Sequence, residues 1–145
     1  MLLQGQVLGN EALISKFRVR LDGTSLACSA LGGLESKISE FTAEDGTSRS
    51  GSRVLPGSTT MSIFMHHETE RIQVLAWHAA GRVSAPGYKK DIPVDFMNGS
   101  GATVTIGVIK GAWCSALKTP DLDASSEGEI AKLELTLNYD AFDLS

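Results

Sequence analysis

Alternation with a period of two runs through most of the chain. Phe17, Val19 and Leu21 alternate with Arg18 and Arg20 up to the turn pair Asp22-Gly23, the pattern of a strand with one buried face. Ser25 to Ala30 and Ser36 to Thr42 read as further short strands, parted by a bend at Gly32-Gly33. Met61, Ile63 and Met65 share one face of a strand over 60–65. Beyond Pro86-Gly87, Ile92, Val94 and Phe96 alternate with Asp91, Pro93 and Asp95. Pro93 has no N–H to give to a ladder, which predicts an edge strand there. Asn98-Gly99-Ser100-Gly101 predicts a hairpin turn into Val104, Ile106 and Val108. The last strand sets Leu133, Leu135, Leu137 and Tyr139 against Lys132, Glu134, Thr136 and Asn138.

Two stretches break the alternation. From Ala43 to Ser58 the chain turns to Gly, Ser, Thr and Arg, ending at Pro56-Gly57. A run of about sixteen such residues predicts a long extended loop of functional rather than connecting character. Over 68–80 the period changes: Ile72, Leu75, Ala76 and Ala79 recur at helical spacing, Glu68 and Glu70 sit in the first turn, and Gly81 is placed to end the helix. Val74 and Trp77 fall on the other side of that helix, and a helix apolar on two faces packs against its own sheet and against something else. Trp77 and Val74 are therefore the expected contact with a neighbouring subunit or with another partner around it. The expected fold is all-β: a small barrel or sandwich of about seven strands with one flanking α-helix and one long loop.

Nothing divides the 145 residues into more than one domain, since there is neither a repeat nor a compositional break. With 42% hydrophobic and 21% charged residues the chain can build an ordinary core. Its 13 basic and 17 acidic residues leave a net charge of −4, which argues against a domain whose work is gripping phosphate backbones. No run approaches the roughly 18 apolar residues of a membrane span, so no membrane anchor is expected. The start MLLQGQVLGNEALISKF lacks the basic opening and apolar centre of a signal peptide; a soluble, unprocessed domain is expected.

Catalytic chemistry has little to stand on. His66-His67-Glu68 looks like a ligand cluster, but sequence neighbours point to different sides and no HExxH motif accompanies them. There is no GxSxG elbow, and the glycines at 99, 101 and 107 lie in a hairpin and a strand rather than at a helix start. No catalytic, cofactor-binding or metal-binding residue is assigned. Two cysteines, Cys28 and Cys114, make no CxxC pair and read as free thiols in a reducing compartment.

Several short motifs occur in an order that covers nearly the whole chain: Gly33-Leu34-Glu35 before a strand, Leu55-Pro56-Gly57 closing the polar stretch, Ala112-Trp113, Pro120-Asp121-Leu122, and Ile130-Ala131 running into Leu135. In this order the sequence resembles the tail tube proteins of contractile-tailed bacteriophages and of related injection systems. It departs from them in the Ser/Gly-rich composition of the segment before Leu55, where family members often carry more acid and Asn.

The resemblance implies a β-barrel that closes into hexameric rings, stacked into the inner tail tube through which a genome is delivered. Its implied partners are further copies of itself, the tail sheath, tape-measure, baseplate and tail terminator proteins, and DNA passing without specific binding. The implied location is the virion, assembled in the host cytoplasm. The N-terminal arm (1–15) and the loop over 43–58 would order on assembly, with Gly46, Arg49, Gly51, Arg53, Leu55 and Pro56 as the assembly loop. Lumen candidates are Glu35, Lys37, Ser39, Thr60 and Ser62, on the polar sides of the flanking strands. Once a virion meets an oxidising medium, Cys28 and Cys114 become a candidate disulfide pair, within or between subunits. The alternatives are a type VI-like ring, a baseplate tube initiator and, from a different class, a monomeric ligand-binding β-barrel.

Overall fold

The computed structural model describes residues 10–125 and 128–145. Most of the arm expected over 1–15 lies outside them. Of its described end, Leu13 N donates to Met97 O at 3.0 Å, while the side chains of Leu13 and Ile14 stay exposed.

The strands are β1 (Phe17–Leu21), β2 (Thr24–Leu26), β3 (Cys28–Leu31), β4 (Lys37–Thr42), β5 (Ser48–Leu55), β6 (Gly57–Phe64), β7 (Lys90–Met97), β8 (Thr103–Lys118), β9 (Lys132–Tyr139) and β10 (Ala141–Leu144), with the helix α1 (Glu68–Arg82) between β6 and β7. The main sheet runs β2-β1-β7-β8-β9-β6-β3, with β10 also paired to β8. Its two end strands, β2 and β3, are joined by Ala27 alone, so the sheet curls back until its ends meet. The all-β expectation holds, with ten strands rather than about seven. The surplus comes from β2 and β3 being separate strands, from β10, and from β5.

The helix runs from the seam to β8. Ala27 N donates to the Glu70 carboxylate at 2.8 Å and Gln73 Nε2 to Thr24 Oγ1 at 3.3 Å, so side chains of α1 satisfy groups that the curled sheet leaves open. On the far side His78 Nδ1 meets the Cys114 carbonyl at 2.8 Å. Inward residues from every wall, among them Val19, Ile63, Val94, Ile109, Leu135 and Leu137, are fully buried in one cluster.

The sixteen-residue β8 turns the corner of the barrel. Its first half pairs with β7 and β10 and its second with β9. The bend comes at Gly111, where φ is 63° and any Cβ would strike the Asp140 carboxylate; only glycine meets both conditions.

Four expectations are corrected. First, β7 is an interior strand between β1 and β8, not an edge. Pro93 is tolerated because the register with β1 stops at Val19–Val94, one residue short of it. Second, α1 runs past Gly81, which lies against Trp113 and Tyr88, and it is capped at Val83. Third, the face of α1 that docks is the opposite one. Val74 and Trp77 are 0% and 3% exposed, whereas Ile72 and Leu75 are 55% and 44% exposed. Trp77 also donates Nε1–H to Tyr88 O at 2.7 Å. A tryptophan whose area is buried and whose N–H is satisfied inside its own chain is a core residue, so neither Trp77 nor Val74 is a subunit contact. Fourth, half of the loop expected over 43–58 is strand β5, paired antiparallel with β4 around a turn at 43–47. The Ser/Gly composition hid it, because β5 has no buried face to impose alternation.

Candidate assembly surfaces

β4 and β5 form a sheet of their own that stands off the barrel. The turn is tied by Asp45, whose carboxylate accepts from Thr47 Oγ1 at 2.6 Å and Thr47 N at 3.0 Å and faces Arg49 at 3.5 Å. The Thr47 hydroxyl, more than any other contact, holds the Asp45 carboxyl below its ordinary pKa. Midway, the register slips between Ile38–Val54 and Glu40–Ser50. There Ser52 takes a positive φ of 59°, and Arg53 N donates to Ser39 Oγ at 3.3 Å. This bulge bends the arm.

Among the described residues the arm leaves three apolar side chains about half exposed: Ile38 at 56%, Phe41 at 52% and Val54 at 50%. Ile38 and Val54 are cross-strand partners and make a small apolar patch. A free two-stranded hairpin is only marginally stable in water, so an arm built this way is suited to packing on something else. All six expected assembly residues lie on it or at its root: Gly46 in the turn, Arg49, Gly51, Arg53 and Leu55 on β5, and Pro56 at the corner into β6. Ile38, Phe41 and Val54 were missed by sequence reasoning, which took the first two for one strand of a half-buried sheet and the third for loop.

The lumen candidates divide between two surfaces. Lys37 and Ser39 are on the arm and Glu35 is at its root, whereas Thr60 and Ser62 point outward from β6. Around those two the barrel wall presents rows of small polar groups: Ser58 beside Asn138, Thr60 beside Thr136, and Ser62 beside Glu134, which in turn neighbours Lys118. His66 and His67 sit at the junction of β6 and α1, edge to face at 4.4 Å, with His67 Nδ1 at 3.4 Å from Glu70.

The cysteines do not meet. Cys28 shares a row with Ile63 and Leu133, and Cys114 shares one with Leu137. The four residues of β9 between those rows span roughly 13 Å, beyond the roughly 7 Å that a disulfide bridges. Cys114 is 1% exposed, which also removes a bond between subunits. Burial pushes both thiols up to about 11, so they stay protonated and inert near neutrality. The candidate disulfide is withdrawn on these grounds.

An antiparallel barrel sealed by one helix, with a stand-off β-arm, is the frame on which comparison with known proteins bears. The profile of the T4-like virus tail tube protein gp19 family matches residues 15–143. The chain belongs to that family. It is thus a structural tube protein, of a kind found in phage tails and phage-like particles. Solved tube proteins share its fold. The tube-terminating cap of the anti-feeding prophage superposes with a TM-score of 0.74 at 20% identity, over 97% of this chain and 94% of that one. A chain of the sheath–tube complex of the PVC extracellular contractile injection system gives 0.73 at 18% identity, over 95% and 93%. Hcp1 from Flavobacterium johnsoniae gives 0.55 at 15% identity, over 90% and 94%. No curated protein sequence is significantly similar to this tail tube protein.

Proposed function

We propose that this tail tube protein closes into hexameric rings, and that the rings stack into the hollow inner tube of a contractile tail, the conduit for genome delivery. The observation that carries the reading is the β4–β5 arm. It is regular in structure, yet among the described residues it leaves an apolar pair and a phenylalanine about half exposed. A contact between an arm on one side of a subunit and a seat on another is head-to-tail, the kind that generates rings and filaments. The hydroxyl- and amide-rich outer wall of β6 and β9, with Thr60 and Ser62, is the lumen surface in this reading. Its polar rows, in which Glu134 lies beside Lys118, offer passing DNA no cluster of basic groups to grip. Sheath, baseplate, terminator and tape-measure proteins are its partners, and it performs no catalysis.

Negative-stain electron microscopy across a concentration series tests this. Uniform hollow tubes, or rings that stack as concentration rises, are expected. A chain that stays monomeric at every concentration, and also when baseplates are added as nuclei, refutes it. The second reading, a cap or initiator at one end of the tube, is one that the fold serves equally well, since a tube-terminating cap structure and a sheath–tube structure match it alike. It predicts single rings or short stacks that do not lengthen.

A further inference from the structure

The arm leaves the barrel at two places, the linker 32–36 and the corner 55–57, and one side chain holds both. Tyr139, at the end of β9, is 2% exposed. Its hydroxyl accepts the Glu35 N–H at 3.1 Å and faces the Glu35 carbonyl as a donor at 3.4 Å. Its ring lies across its cross-strand partner Gly57, so closely that a Cβ on Gly57 would come within 2.7 Å of the hydroxyl and 2.8 Å of the ring. Gly57 has no positive φ; glycine is there because the ring needs the space, not because the backbone needs the freedom. The linker is also held by Gly32 N, which donates to Thr60 O at 2.8 Å, and by Leu34, which packs against the core.

We propose that Tyr139 is the latch that fixes the angle of the β4–β5 arm to the barrel, a positioning residue for assembly that touches no neighbouring subunit itself. The physical reason lies in what else the arm has. Its two strands bond to each other and not to the main sheet, so its internal ladder makes it stiff without orienting it. Orientation has to come from the roots. One hydroxyl that both accepts from and donates to Glu35, on a ring that seats Gly57, couples the entering strand to the leaving one. A seat on a second subunit sees only the fraction of arms at the docking angle, and apparent affinity falls by that fraction. The latch stands on contacts within one chain; its effect on assembly rests on the proposed tube function.

The test uses Tyr139→Phe, which removes the hydroxyl and keeps the ring, and Gly57→Ala, which keeps the hydroxyl and displaces the ring. NMR is recorded on the full chain at a concentration where it is monomeric. In both variants the Glu35 amide is expected to exchange about five- to tenfold faster, the loss of one buried hydrogen bond. The residual dipolar couplings of the 37–55 amides should no longer fit the frame of the barrel, while those of β1 and β7 still do. The critical concentration for assembly should rise about fivefold if one arm in five keeps the docking angle. Unchanged couplings in the arm of either folded variant overturn the latch. A loosened arm with an unchanged critical concentration overturns its role in assembly and leaves the tube reading intact. If wild type does not assemble at all, the tube reading has failed, and the couplings still decide the latch. Should Tyr139→Phe fail to fold, Gly57→Ala alone decides.

Discussion

Replacing Ile38 and Val54 together by threonine should separate assembly from folding. Both sit on the arm, opposite each other in register, and are 56% and 50% exposed in the single chain. Threonine keeps the β-branched shape that suits a strand, so little of the arm's own stability is at stake. Exposed substitutions of this sort shift stability by about 0.5 kcal/mol or less. Assembly is another matter. Full burial of an aliphatic side chain contributes about 1.5–3 kcal/mol, and about half of each of these is still available to a neighbour. The pair is thus expected to contribute about 2 kcal/mol to each docking contact. At 1.4 kcal/mol per tenfold this is roughly a thirtyfold change in the association constant. Sedimentation velocity over a dilution series reads the critical concentration, and a thermal melt of the dilute monomer reads the fold. A rise of about thirtyfold with an unmoved melt is the expected outcome. An unmoved critical concentration would mean that the apolar arm is not the contact, and a melt lowered by many degrees would mean that the patch is buried within its own chain.

Three further substitutions probe the barrel. Trp77→Ala should cost about 3–5 kcal/mol of folding stability and orphan the Tyr88 carbonyl; urea melts check it, and a stable monomer defective only in assembly would return Trp77 to the surface. Gly111→Ala should destabilise by more than the roughly 1 kcal/mol of a left-handed backbone alone, because the Asp140 carboxylate occupies the space; a neutral result in the same melts would show that the corner relaxes freely. The buried Cys114 thiol predicts an alkaline limb. With its folded pKa raised by burial from 9 to about 11, its share of stability is complete below pH 9 and is lost as pH rises through 11. Cys114→Ala, melted alongside wild type across pH 8–11, should show a shallower decline, and parallel curves would contradict the shift.

Much of this architecture is legible because barrels impose alternation on the strands they bury. β9, with Leu133, Leu135, Leu137 and Tyr139 all inside, is written in the sequence almost without ambiguity, as is the Asp22-Gly23 hairpin. What failed to show lies where that rule lapses. β5 is exposed along nearly its full length, so no apolar period marked it, and its serines and glycines read as loop. The two-sided helix gave a stripe on each side, and counting apolar positions favoured Ile72, Leu75, Ala76 and Ala79. The decision belonged to size and polarity: a tryptophan at 77 gains more by burial than alanines do, and Val74, Trp77, His78 and Gly81 supply the same i, i+3, i+4, i+7 spacing. Pro93 misled because a strand can be interior and still lack a partner on one side at one residue: Pro93 pairs with Val108 of β8 and with nothing on β1. The route of Tyr139 to Glu35 crosses 104 positions, a distance at which no local pattern speaks.

Several residues that were hard to read are also those on which the proposed assembly rests, and the two share a cause. A side chain that serves a contact with another copy is under no obligation to the core of its own chain, so it carries neither the alternation nor the burial that makes a sequence legible. Ile38 and Val54 have an unmet apolar demand; Thr60 and Ser62 face out over a polar wall; Glu35 contributes only its backbone to the latch. The family match covers 15–143 and therefore includes the arm, yet the barrel alone would hold its core without it. An element that the fold does not need, kept regular by its own ladder, tied at its root to a buried tyrosine and left apolar at its surface, has the properties that the proposed contact with a next subunit requires.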